Sequence, residues 1–467
     1  MTTSATRNKS KIHYAWWILL AISIIVGCGK GILMNTAGLF LPPVTEELGV
    51  GMGTLMLYFS VSATVTLVFL PLGGKLMAKY DPRQIIIASI IFQGGSFALF
   101  GLMSSVWGWY LLAVPLAMGG TLLGVIVGPV LINTWFRKRN GLALGVLTAT
   151  GGLMGAIAQP IVANIIAGSG WRTAYITVGL ACIAIVIPIA LVLLKRSPQA
   201  IGTQPFGAEE AALESVTPAS EAAGASEAAS ATATAAATAA PKREDGIEIG
   251  TARKSIPFYL VLSFFFLMTS ISSFSMHIPK HLENLGFDTV FAGSVMSIYM
   301  IGILVASLVL GYLVDALGVK RSAILTLLIA LGAILLIIFG GENTLVMKLS
   351  VAAFAVVSAS ITIVGPALVT SLFGKRDYAQ VYSNASIGLG IASIVALPAY
   401  GFIYDAVGSY VPVLWMIVAM LVINMVCVLF AFQNQKKMVA NGLWITENGK
   451  ESGTESGEAA ETATVDA

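Results

Sequence analysis

Lys30 lies near the middle of an apolar run covering residues 15–41, long enough to cross a membrane. An ionisable group at that depth costs about 2.5–3.5 kcal/mol on insertion scales and is by default a functional-site candidate. Its side chain reaches only about one helical turn, so carrying the charge to the headgroups is hard to complete. Two chemistries stay open. The ammonium binds an anionic solute through charge-assisted hydrogen bonds, or it pairs with a polar group in another part of the chain. At helical spacing Ser23, Gly27, Lys30, Gly31, Met34 and Gly38 fall on one stripe. Small residues on such a stripe let another helix or a solute approach closely. Asn35 follows about one turn beyond. No Asp or Glu lies at comparable depth in any apolar run, so no carboxylate proton relay is visible.

Weaker candidates lie in other runs. The segment TSISSFSMH, Thr269 to His277, is the most polar stretch inside an apolar run. His277 has the ordinary pKa of a reversible proton carrier, or it faces water at the membrane surface. Tyr58, Gln159 and Tyr299 offer hydrogen bonds to a bound anion or to neighbouring helices. Asn133 and Asn384, nearer the ends of their runs, suit gating or packing. Cys28, Cys182 and Cys427 form no CxxC or CxH pattern and read as buried thiols. His13, His277 and His281 are too scattered for a metal centre. No P-loop, GxSxG, zinc spacing or dinucleotide fingerprint is present. The chain is therefore not read as an enzyme and needs no cofactor, and its work must draw on a gradient.

The elements that position these residues follow from composition. Apolar residues are 57% of the 467, charged residues only 10%, and mean hydropathy is +0.87, whereas a soluble globule carries roughly 25% charge. Such a chain must live in a lipid bilayer. Six apolar runs precede residue 200, at 15–41, 53–77, 85–105, 107–134, 141–168 and 172–194. Six follow, at 257–281, 289–313, 322–340, 345–372, 379–404 and 410–432. The organisation predicted is an N-terminus at 1–14, a six-helix bundle at 15–196, a disordered linker at 197–254, a second bundle at 255–433 and a disordered acidic tail at 434–467. The fold class is all-α, with twelve transmembrane helices. Lys and Arg gather on the side that holds both termini and the linker, which the positive-inside rule makes cytoplasmic. A net charge of +3 without basic runs interleaved with aromatics argues against nucleic acid as a partner. Lys9 and Lys11 before an apolar run mimic a signal peptide, but the repeat requires that helix.

Placing residue 237 + n under residue n aligns the halves without a gap. Pro42 meets Pro279, Gly74 meets Gly311, Gly128-Pro129 meets Gly365-Pro366, and Lys138-Arg139 meets Lys375-Arg376. Six spans per half put both repeats the same way round, a parallel repeat with a substrate path between the halves.

These residues resemble the major facilitator superfamily. The loop GYLVDALGVKR, Gly311 to Arg321, is similar to its signature Gly-x3-Asp-x2-Gly-x-Lys/Arg-Lys/Arg. The copy GKLMAKYDPRQ, Gly74 to Gln84, keeps Arg83 but has Ala78 in place of the aspartate. The resemblance implies that Asp315, Lys320 and Arg321 clamp helix ends in one access state, although simple charge anchoring explains the same residues. GLFLPPVTEELGV (Gly38 to Val50), WFRKRNGLALGV (Trp135 to Val146) and GWRTAYITVGL (Gly170 to Leu180) look like the monocarboxylate and oxalate–formate exchange branch. Ser307 stands where members of that branch carry an arginine, so oxalate and a standard lactate carrier both fit poorly. The glycines of span 5, Gly141 to Gly155, do not reproduce the Gly-Pro-x2-Gly-Gly of drug antiporters. The function expected is secondary active transport of a small organic anion, a monocarboxylate or related carboxylate, by proton symport or exchange against a counter-anion. The expected setting is a monomer in the plasma or inner membrane. A multidrug or hydrophobic-solute exporter of the same superfamily is the alternative.

Overall fold

The computed structural model describes residues 13–195, 198–207, 246–441 and 443–444, and the expectations for the N-terminus and the acidic tail fall largely outside them. The apolar runs become helices because a backbone in lipid must satisfy its own hydrogen bonds. In the first half these are α1 (Tyr14–Leu48), α2 (Met52–Lys79), α3 (Pro82–Phe100) and α4 (Val106–Trp135). A continuous run, Asn140–Val192, follows; its 53 residues are broken at Gly170, whose φ of 80° and ψ of 160° lie outside the helical region. At 1.5 Å per residue that run spans about 80 Å, more than two bilayer thicknesses, so it forms two spans, α5 (140–169) and α6 (171–192). The second half holds α7 (Ile256–Asn284), α8 (Thr289–Leu317), α9 (Val319–Phe339), α10 (Thr344–Phe373), α11 (Tyr378–Val407) and α12 (Val411–Ala440). Twelve spans result among the described residues, six in each half.

Local chemistry sets several boundaries. Asp81 accepts from the Arg83 N–H ahead of Pro82 at the start of α3, and Asp288 and Asn343 cap α8 and α10 in the same way. Gly49 and Gly408 end α1 and α11 in the left-handed conformation.

The halves meet along α2 with α11 and α5 with α8. These contacts concentrate at the end away from the linker. There Asp405 accepts hydrogen bonds from the backbone N–H groups of Met52 and Gly53, at 2.7 and 2.8 Å. Gly401 lies so close to Gly53 that a Cβ on it would stand 2.6 Å from the Gly53 Cα. Ser60 donates to the Ile394 carbonyl, and Ser297 to the Ala156 carbonyl. Towards the linker end Thr64 and Leu67 on α2, Thr148 on α5, Ile301 and Val305 on α8 and Ile391 on α11 are all exposed.

The linker was expected to be disordered over 197–254, and both of its described ends instead dock on equivalent loops. Phe206 donates to the Trp135 carbonyl and accepts from the Arg137 N–H, while Ile247 donates to the Phe373 carbonyl. Single apolar side chains anchor the same ends: Phe206 packs against Trp16 and Phe136, and Ile247 is fully buried, contacts that the average composition of the segment conceals.

Candidate functional site

The site begins with a local change of helix type. Within α1, Gly27–Met34 forms a π-helix, in which each turn takes in one more residue than an α turn; such segments cluster at functional sites. Three glycines in eight residues lower the preference for a regular α-helix. The wider turn splits the stripe that α-spacing predicted, and this corrects the sequence expectation. Gly27 and Gly31 face α5: a Cβ on Gly31 would stand 3.1 Å from the Gly155 nitrogen, and Gly27 abuts Met154. Lys30 and Met34 take a different face and are exposed, although Gly29 and Gly31 beside Lys30 are buried. Farther along, Gly38 meets Met276 of α7. A second π-segment, Leu122–Ile126 in α4, packs beside the first.

Two buried amides border the Lys30 segment. Gln93 of α3 donates to the Gly29 carbonyl at 2.9 Å, and Gln159 of α5 donates to the Asn35 carbonyl at 2.7 Å. Lys30 is the one Lys, Arg, Asp or Glu in the middle of any described span.

Across the interface, α7, α8 and α10 contribute hydroxyls. The Tyr299 hydroxyl lies 2.7 Å from Ser358 Oγ, which lies 2.6 Å from Ser272 Oγ. Ser272 lies four residues before Met276, the residue that meets Gly38.

The remaining candidates are placed elsewhere. His277 is fully buried; its Nδ1 lies 2.9 Å from the Tyr410 hydroxyl and its Nε2 lies 3.1 Å from the Leu397 carbonyl. Both ring nitrogens are thus engaged within the second half. Tyr58 packs against Phe100 in an aromatic cluster with Phe97, Trp109 and Tyr175. Lys30 and Asn35 therefore share a segment, Tyr299 joins a hydroxyl group of the other half with its ring stacked on Phe354, and it, Tyr58 and His277 are all buried. In the signature loops Gly74 has open space around it, as does Gly311. Arg83 donates to the Leu194 carbonyl at the end of α6. Asp315, Lys320 and Arg321 are exposed. Lys320 lies 6.0 Å from the Phe432 ring centre, and Asp315 makes no ion pair among the described residues.

Sequence reasoning passed over Gln93, Ser358 and Asp405. Gln93 could have been found as the lone carboxamide in the third apolar run. A groove of about 360 Å³ between α1, α5 and α6, lined by Met154, Ile157, Ile161, Val178 and Ile185, carries no charge and does not include Lys30.

Relatives agree with this architecture. The chain is 25% identical to the oxalate:formate antiporter of Oxalobacter formigenes over 181 residues, 38% of this chain and 42% of that one. It is 30% identical to a probable sulfoacetate transporter of Cupriavidus necator over 140 residues, 30% of this chain and 32% of that one. The chain thus spans less than half the length of these two relatives. A transporter of Gibberella moniliformis is 23% identical over 75% of each chain. Among solved structures, the nucleoside transporter NupG matches with a TM-score of 0.64 at 13% identity, covering 90% of this chain and 99% of that one. A bacterial homologue of the human lysosomal transporter Spinster, inward-facing and occupied, matches at 0.67 and 12%, covering 91% and 98%. At such identity these two likenesses speak for the fold alone. The Major Facilitator Superfamily profile matches residues 19–293 and 260–444, and with twelve spans in two halves the chain belongs to that superfamily of membrane transporters.

Proposed function

We propose that the protein moves a small organic anion, a monocarboxylate or related carboxylate, by alternating access, as proton symport or exchange against a counter-anion. The observation that carries this reading is Lys30: an exposed cation in the middle of a span, with no carboxylate at its depth among the described residues. A carboxylate arriving beside the ammonium gains a charge-assisted hydrogen bond of about 1.5–3 kcal/mol. Asn35, and across the interface Ser272, Ser358 and Tyr299, supply neutral hydrogen bonds to the rest of the solute. With Ser307 neutral, the path holds one positive charge, which suits a monoanion better than a dianion. Names among the relatives, an oxalate:formate antiporter and a sulfoacetate transporter, support an anionic solute.

In this reading the linker end faces the cytoplasm, as the Lys and Arg asymmetry requires, and the end joined through Asp405 faces outwards. His277 and Tyr58 act as packing residues rather than ligands. The protein works as a monomer in the plasma or inner membrane. Uptake into proteoliposomes, screened over monocarboxylates, dicarboxylates, aromatic acids and hydrophobic cations, tests the proposal. Uptake of a monocarboxylate supports it. Uptake confined to hydrophobic cations contradicts it.

A further inference from the structure

We propose that Gln93 and Gln159 are positioning residues: by donating to the carbonyls of Gly29 and Asn35, they hold the π-turn of α1 in the register that directs Lys30 between the halves. The proposal rests on Lys30 as the anion-binding group, but its test reads the lysine position directly.

The argument starts from backbone accounting. In a bilayer a carbonyl without a donor costs several kcal/mol. At the far border of the π-turn, the Asn35 N–H reaches back to the Lys30 carbonyl, while the Leu39 N–H bonds the Thr36 carbonyl. The Asn35 carbonyl is thereby left without a backbone donor among the described residues, and Gln159 Nε2 fills that role at 2.7 Å. Inside the turn, Gln93 Nε2 reaches the Gly29 carbonyl, one residue before Lys30. Both glutamines are buried, at 1% and 0% exposure. Neither Oε1 has a partner among the described residues. Amides so costly to bury are explained by the carbonyls they serve, and those two carbonyls bracket Lys30.

The alternative register shows what they prevent. In a regular α-helix Lys30 shares a stripe with Gly27 and Gly31. That stripe would turn the lysine into the α1–α5 seam, where Gly151 and Gly155 already approach Gly31 closely. The wider turn separates the glycines, which pack, from the lysine, which stays free. Losing either amide favours relaxation towards α and withdraws Lys30 from the space between the halves.

The test uses the full-length chain with its three native cysteines replaced by serine and Lys30→Cys as reporter, labelled by a small hydrophilic thiol reagent. Gln93→Met and Gln159→Met should each slow labelling by about five-fold or more, while a Thr148→Cys control on α5 keeps its rate. Gln93→Glu and Gln159→Glu, whose carboxyls stay protonated in an apolar interior and still donate one hydrogen bond, should label nearly as the parent does. They also keep the test alive if a methionine variant fails to insert. Unchanged labelling in both methionine variants, or equal losses with glutamate, overturns the proposal. In chains that retain Lys30, the methionine changes should raise the KM for anion uptake with the saturated rate preserved. Slower labelling with an unchanged KM would leave the positioning role standing and contradict anion binding by Lys30 instead.

Discussion

The two halves share one scaffold and bring different chemistry to the space between them. Position 30 in the first is lysine; its counterpart, 30 + 237 = 267, is Leu267, buried in the second. Asn35 corresponds to Ser272 (35 + 237), which opens the run of hydroxyls through Ser358 to Tyr299. α1 widens into a π-turn at the lysine, whereas α7 tightens into a 3₁₀ turn at Phe274–His277, where His277 is locked into packing. A repeat can thus keep its helices in register while one half holds the charge and the other offers neutral partners. That asymmetry fits a solute with one charged end and one polar end.

The largest effect should come from removing the charge. Lys30→Ala should insert normally and lose about ten- to a hundredfold in apparent affinity for the transported anion, as expected from 1.5–3 kcal/mol, while Lys30→Arg keeps part of it. Concentration-dependent uptake in proteoliposomes measures both. On the other half, Ser358→Ala and Tyr299→Phe each remove one neutral hydrogen bond of about 1 kcal/mol, so KM should rise by about five-fold. A loss at Ser358 as large as that at Lys30 would erase the proposed division of labour.

The ends of the molecule sharpen the comparison. Gly401 to Gly408 repeats the spacing Gly-x3-Asp-x2-Gly of Gly311 to Gly318. Asp405 caps the start of α2 across the interface, whereas Asp315 accepts no such bond among the described residues, although both carboxylates are exposed. An anionic cap on a helix N-terminus contributes about 0.3–1 kcal/mol. Asp405→Asn should therefore shift the population open at that end by about two- to fivefold, read from the labelling of Ser60→Cys by an impermeant reagent applied there. The smallest change in binding is expected for Asp315→Asn. It should slow turnover while KM stays within a few-fold, if the acid clamps helix ends in one access state and does not touch the solute. Unchanged turnover would reduce that loop to an orienting anchor.

The spans, the repeat and the depth of Lys30 were legible in the sequence because hydropathy and charge are properties of position along the chain. The separation of exposed Lys30 and Met34 from buried Gly27 and Gly31 was not. A stripe drawn at 3.6 residues per turn assumes regular hydrogen bonds, and the π-turn that breaks them depends on Gln93 and Gln159, amides far away in sequence. His277 looked like a proton carrier because its partners, Leu397 and Tyr410, come from other helices. Asp405 was passed over, since nothing local reveals that α2 begins beside it. Each miss involves a hydrogen bond between distant segments, which composition and periodicity do not encode.

The most direct measurement of the central claim compares a transported carboxylate with its neutral primary amide, by competition for binding to the purified protein, in the native chain and in Lys30→Ala. The native chain should prefer the carboxylate by about ten- to a hundredfold, and the preference should vanish in the alanine variant because only the ammonium tells the two apart. A preference that survives intact without Lys30 would show that the anion is recognised elsewhere and would contradict the account.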